Sequence, residues 1–177
     1  APTANGDVQN QVVRAIKRAE QNEGTLICEH RLGFISANAA VDESNTETDN
    51  TVITLPDDPD SSARRIGRAL QERFGVIIGI VVTDTFGRPW RLGQVNVAIG
   101  LHNVPAKTSD IGGVDAWGRH LSVTEPAFSD ELAAASGLVV AKAAKTPLVR
   151  IRGLTWTPDE STSARNILRA SKEDMFR

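Results

Sequence analysis

Short apolar runs alternate along this chain with polar joints bearing glycine and proline, and the period of the runs changes from one segment to the next. From Val8 to Glu20 the positions Val12, Val13, Ile16 and Ala19 have the spacing of one helix face, which predicts a helix behind a small polar tail at Ala1 to Asp7. Thr25 to Cys28 and Leu32 to Ile35 read as short strands around the polar turn Glu29-His30-Arg31. The small-residue segment Ser36-Ala37-Asn38-Ala39-Ala40 follows, where a backbone can approach a ligand closely. A strand is expected at Thr51 to Leu55. Next comes a helix from Ser62 to Phe74, capped by Asp60 or Ser61 and stopped by Gly75, with Ala63, Ile66, Ala69, Leu70 and Phe74 as its buried stripe.

Gly75 to Val82 is β-branched and almost free of polar groups, so it reads as a strand buried on both faces with Asp84 at its carboxyl end. Gln94 to Gly100 suits another strand, and the glycine-rich segment Asp110 to Arg119 a loop or hairpin. An alanine-rich helix is expected from Ser129 to about Lys142, then a strand at Pro147 to Gly153 and a polar tail from Thr157. This mixture predicts the α+β class, a mixed, mostly antiparallel sheet with packed helices, and one unit over residues 1–177.

Composition narrows the choice of partners. A net charge of -2 and a pI near 5.9 lack the basic excess that a nucleic-acid backbone demands, so no nucleic-acid partner is expected. The single cysteine, Cys28, excludes an internal disulfide framework and reads as a core residue of a soluble, cytoplasmic protein. No apolar run reaches the ~18 residues that span a bilayer, so no membrane association is expected.

Candidate chemistry lies where apolar runs stop. Asp42-Glu43-Ser44-Asn45 and Asp84-Thr85 each offer hard oxygen donors suited to Mg²⁺ or Mn²⁺, although an Asp-Ser-Asn group also serves as a turn or a helix cap. With a nucleotide triphosphate as the other ligand, Arg88 and Arg91 would stabilise charge on the transferred phosphoryl group; their alternative is as surface or ion-pair residues. Asp130-Glu131 is either a second carboxylate pair or a first helical turn that favours acidic residues. His30, His102 and His120 lack metal-ligand spacing, and the tryptophans read as packing residues, except that Trp90, between the two arginines, could stack on a ring-bearing substrate.

Three segments together resemble one family: Ser36 to Asn45; Thr83-Asp84-Thr85-Phe86-Gly87-Arg88-Pro89-Trp90-Arg91-Leu92-Gly93-Gln94; and Asp115-Ala116-Trp117-Gly118-Arg119 with Asp130 to Ala135. They are similar to the coenzyme F420-0:L-glutamate ligases, from about Gly24 to Phe176, with the arginine-rich segment the strongest match. The resemblance implies a homodimeric α+β enzyme that uses GTP and divalent metal to add L-glutamate to F420-0 through an acyl phosphate. It implies Asp42, Asp84 and Thr85 as metal ligands and Asn45 as a nucleotide contact. Lys142 stands near a position where archaeal members carry a glutamine ligand; a charged lysine would meet a phosphate instead. Family members also carry an additional amino-terminal segment, so the chain is expected to be a fragment, a product completed from elsewhere, or a shortened homologue. An amide ligase with a different carboxylate acceptor and a non-catalytic subunit are the alternative functions.

Overall fold

The computed structural model describes residues 12–18, 26–46, 48 and 51–174, and these form an α+β fold of antiparallel strands and packed helices. The tail expected at Ala1 to Asp7 and the start of the strand expected at Thr25 lie outside the described residues. Two compact units are present: one takes the described residues of Ala1–Asp57, Thr85–Val95 and Leu168–Arg177, the other those of Asp58–Asp84 and Asn96–Ile167.

In the first unit, β1 (Val12–Arg18), β2 (Leu26–His30) and β3 (Ile35–Ala37) form an antiparallel sheet in that order. The helix expected over Val8 to Glu20 is therefore a strand where it is described. Its register against β2 slips between Val12 and Arg14 and again between Ala15 and Lys17. A register slip interrupts the strict two-residue alternation of a strand, so the apolar spacing along such a segment can imitate that of a helix. Val12, Val13 and Ile16 are β-branched and favour the extended chain that β2 supplies with hydrogen-bond partners.

The turn between β2 and β3 falls at Arg31 to Gly33, later than expected, because Gly33 supplies the positive φ of 93° and its N–H donates to the His30 carbonyl. Glu29 and His30 belong to β2. Cys28, Leu32 and Phe34 are buried, and Phe34 meets Phe86 edge to face at 5.9 Å. Thr51 to Leu55 is no strand: its only backbone pairing among the described residues joins Ile53 to Asp42.

The second unit is organised by α1 (Pro59–Phe74). Asp58 caps it by accepting the Ser61 N–H, Pro59 sits in its first turn, and Gly75 ends it in the left-handed conformation. The cap is thus Asp58, two or three residues before the expected one. The buried row is Pro59, Ala63 and Gly67, while Ile66, Ala69 and Phe74 are exposed. Small residues win because the helix lies against β5 (Arg91–His102) at backbone range. A Cβ on Gly67 would stand 2.2 Å from the His102 ring, and one on Gly100 would stand 2.4 Å from the Pro59 carbonyl.

Asp60, in the first turn of α1, accepts the Leu101 and Ala164 N–H groups at 2.8 and 3.1 Å and the Ser163 hydroxyl at 2.6 Å. One carboxylate so ties three segments of the unit. The buried residues of this unit include Ile99, Leu101, Val104, Ala106 and Ala133, and His102.

β4 (Ile80–Arg88) pairs with β5 through a two-residue connection, which closes only antiparallel strands. The strand expected from Gly75 starts five residues later, and its positions are half-buried rather than covered on both faces, since β5 is its sole sheet partner among the described residues. α2 (Phe128–Gly137) stops short of Lys142, and Leu138 and Val139 beyond it are exposed. Pro147 to Gly153 alternates as a strand does but forms none: Leu148, Val149 and Ile151 are exposed and no sheet edge pairs with them among the described residues. A strand pattern without a partner edge leaves its backbone to solvent.

Candidate active site

Asp42 follows a left-handed turn in which Asn38, Ala39 and Ala40 all have positive φ, between 49° and 56°. For alanine this conformation costs about 1–2 kcal/mol per residue. The Asn38 side chain holds the turn by accepting the Leu26 N–H at 2.9 Å. Beyond it, the backbone of Asp42 exchanges both hydrogen bonds with Ile53. The carboxylate is exposed and oriented by Ser44, whose N–H donates to Oδ1 at 2.8 Å and whose hydroxyl donates to Oδ2 at 2.7 Å. The acidic segment is thus the turn that its composition allowed, and an exposed, oriented carboxylate is a hard donor of the kind that suits a hard cation. Ser44, offered by the sequence as one oxygen donor of the cluster or as part of a turn, takes the turn role and orients the Asp42 carboxylate. Asn45 is exposed at the end of this turn with φ 58°.

Asp84 is half-buried in the middle of β4 rather than at its carboxyl end, because the strand continues through Thr85, Phe86 and Gly87 to Arg88. Thr85 is exposed, whereas Phe86 is half-buried against Phe34, as strand alternation requires. The turn Arg88-Pro89-Trp90-Arg91 follows. Proline at its first central position and φ 61° at the second are the pattern of a type II turn, in which glycine normally takes the second place. Here that place holds Trp90, 85% exposed. Arg88 Nη2 donates to the Leu92 carbonyl at 2.8 Å, while its Nε is buried with no hydrogen-bond partner among the described residues. Arg91 is exposed at the start of β5.

Lys142 lies in an exposed turn past the end of α2. Asp130 is committed elsewhere: its Oδ1 accepts the Ala98 N–H at 2.9 Å, tying α2 to β5. Trp156 packs, donating to the Asn103 carbonyl at 2.6 Å and tilting against Phe128. Trp117 does not pack; it is 84% exposed at the tip of a loop closed by Asp115, which accepts the N–H groups of Trp117 and Arg119.

Burial sets the histidine chemistry. His30 is fully buried and accepts the Leu32 N–H on Nδ1; desolvation, helped by the charge of Arg31, pushes its pKa down to about 4. His102 is also lowered by burial, and burial raises the Cys28 thiol, which leaves Cys28 an inert core residue. Among the described residues no three His, Cys, Asp or Glu side chains gather as a metal cluster, and no helix is long and apolar enough to cross a membrane.

The fold is α+β, and its turns display carboxylate, hydroxyl and guanidinium groups beside strained backbone. The family model F420-0:Gamma-glutamyl ligase matches residues 7–153, and the chain belongs to that family. It is 45% identical over 156 residues to the coenzyme F420:L-glutamate ligase of Methanopyrus kandleri, covering 86% of this chain and 62% of the relative. The enzymes of the same name from Methanothermobacter thermautotrophicus and Methanocaldococcus jannaschii are 42% and 37% identical over 86% of this chain. The chain spans about three fifths of the length of these curated relatives.

Proposed function

We propose that this protein joins L-glutamate to coenzyme F420-0 through an amide bond at the expense of GTP, as a cytoplasmic homodimer. The observation that carries the reading is the family match over residues 7–153, which contains every candidate residue: Asp42, Asn45, Asp84, Thr85, Arg88, Arg91 and Lys142. A carboxylate oxygen of the acceptor attacks the γ-phosphorus of GTP and GDP leaves. The glutamate nitrogen then attacks the acyl carbon, loses a proton and expels phosphate.

Asp42, Asp84 and Thr85 would hold Mg²⁺ or Mn²⁺, and the exposed, Ser44-oriented carboxylate of Asp42 fits a hard cation. Bound there, the ion would neutralise triphosphate charge that otherwise repels the anionic acceptor. Consecutive strand side chains face opposite sides, so Thr85 serves such an ion through its carbonyl oxygen if Asp84 serves it through its carboxylate. Arg88 and Arg91 stabilise charge on the transferred phosphoryl group, Asn45 contacts the nucleotide, and Lys142 meets a phosphate.

The test is to incubate the chain with GTP, Mn²⁺, L-glutamate and F420-0 and weigh the product. A mass gain of one glutamyl unit is expected, and Asp84→Asn should lower GTP consumption by about a hundredfold or more, since a neutral amide is a poor ligand for a hard cation. No mass gain, or unchanged turnover in that variant, refutes the respective assignment.

A further inference from the structure

Residues 147–153 of the second unit carry the sequence of a strand and lack a strand's partner. Pro147 opens the run and Gly153, with φ 89°, closes it. Between them β-branched Val149 and Ile151 alternate with Leu148, Arg150 and Arg152. Exposure follows the alternation: Val149 and Ile151 are 38% and 42% exposed, whereas Leu148 is 84% exposed. Among the described residues, no backbone hydrogen bond engages an N–H or carbonyl of this run, and the exposed Arg150 and Arg152 form no ion pair. The run is nonetheless tethered. Just beyond it, Trp156 donates to the Asn103 carbonyl at 2.6 Å and tilts against Phe128 with ring centroids 6.0 Å apart.

An exposed row of unpaired backbone groups flanked by apolar side chains is a template for another polypeptide. A second copy of this chain fits it poorly: antiparallel self-pairing across Leu148 to Arg152 sets the two Arg150 side chains opposite each other. Like charges directly opposite destabilise a ladder. The face that bears Arg150 and Arg152 asks for carboxylates instead. We infer that residues 147–153 are an acceptor edge for a separate extended polypeptide that alternates acidic with β-branched residues. Its backbone pairs with the unused N–H and carbonyl groups, its carboxylates meet Arg150 and Arg152 on one face, and its apolar side chains meet Val149 and Ile151 on the other. This goes beyond the ligase reading and uses none of the residues assigned to that chemistry.

The experiment uses the full chain and short fluorescein-labelled peptides: one alternating valine with glutamate, one alternating valine with lysine, and two N-methylated forms of the first, modified at the valines or at the glutamates. Fluorescence anisotropy gives each Kd. The glutamate peptide should bind about tenfold more tightly than the lysine peptide. One of its two N-methylated forms should bind about tenfold more weakly than the parent, because only alternate N–H groups of a strand face a given edge. The double variant Arg150→Glu/Arg152→Glu should invert the preference between the two peptides while its Tm stays within about 2 °C of wild type, both side chains being exposed. A wild-type chain that does not bind the glutamate peptide, or binds both peptides equally, overturns the inference. So does a preference that survives charge reversal, or full binding by both N-methylated forms, which would leave charge without strand pairing. A fall in Tm of more than about 5 °C in the double variant would assign the arginines to the fold and overturn it as well. Sedimentation in which Val149→Asp converts a dimer to single chains would give the edge to a second copy and likewise overturn it.

Discussion

The two units differ in how far their sequences agree with their backbones. In the second, the described left-handed positions fall on Gly75, Gly112, Gly118 and Gly153, with Asn103 and Lys145 as the other residues. In the first they fall on Asn38, Ala39, Ala40, Asn45 and Trp90, with Gly33 and Gly93. The second unit uses glycine at most of these positions, whereas the first places alanine and tryptophan at several of them. Consistency across levels is what makes a chain fold to one structure, and local conflict is concentrated where function overrides it. The first unit carries five of the candidate site residues, Asp42, Asn45, Thr85, Arg88 and Arg91, and the second carries Asp84 and Lys142.

The sharpest contrast should come from the second unit, where Asp60→Ala strips the acceptor from the Leu101 and Ala164 N–H groups and from the Ser163 hydroxyl. Stranded partly buried donors put the loss on the order of 4 kcal/mol, read by urea unfolding, and Asp60→Asn should recover about half by keeping an oxygen for the two amides. A loss under about 1 kcal/mol would mean that this unit is not organised around the carboxylate.

Acid should act next on the first unit. The folded His30 pKa lies near 4, below the ordinary 6.5, so between those values the unfolded chain binds the proton and the folded chain does not. Stability from this group is complete above pH 6.5 and falls as pH drops toward 4, by about 3 kcal/mol at most. His102, also lowered, acts in the same direction in the second unit. His30→Asn, which can accept the Leu32 N–H, should flatten the acid limb in denaturation curves taken at several pH values; an unaltered limb would remove His30 as its cause.

The smallest effect bears directly on strain. Ala40→Gly relieves a φ of 55° and should raise stability by up to about 1 kcal/mol, a gain of roughly 2–4 °C in Tm, where most core substitutions in the second unit lower it. A drop in Tm would show that the left-handed turn carries no strain and would remove the contrast between the units at that point.

Much of the second unit could be read from residue order, because its signals are local. The Gly75 stop, the glycine-rich loop at Asp110 to Arg119 and a helix beginning near Ser129 are each set by residues within one turn of the feature. The helix cap was misplaced because three candidates, Asp58, Asp60 and Ser61, stand together, and only the packing that engages Asp60 with Leu101 and Ala164 leaves Asp58 as the cap. The buried row of α1 was missed because sequence patterns weigh large apolar residues, whereas close helix contact selects small ones. At the candidate site, the acidic clusters and arginines were visible as residue types. The orientation of Asp42 by Ser44 and the strain at Trp90 were not, although a Pro-Trp pair in a two-residue turn was a sign of it.

By itself the sequence determined the α+β class, the chemistry on offer and the family, since these follow from residue identity and from patterns a few residues long. Tertiary structure alone decided that Val12 to Arg18 is a strand, that β4 runs through Asp84 to Arg88, and that Pro147 to Gly153 is not a strand at all. Strand formation depends on an edge to pair with, and that edge is supplied by residues remote in the chain, so no local pattern can report whether it is present.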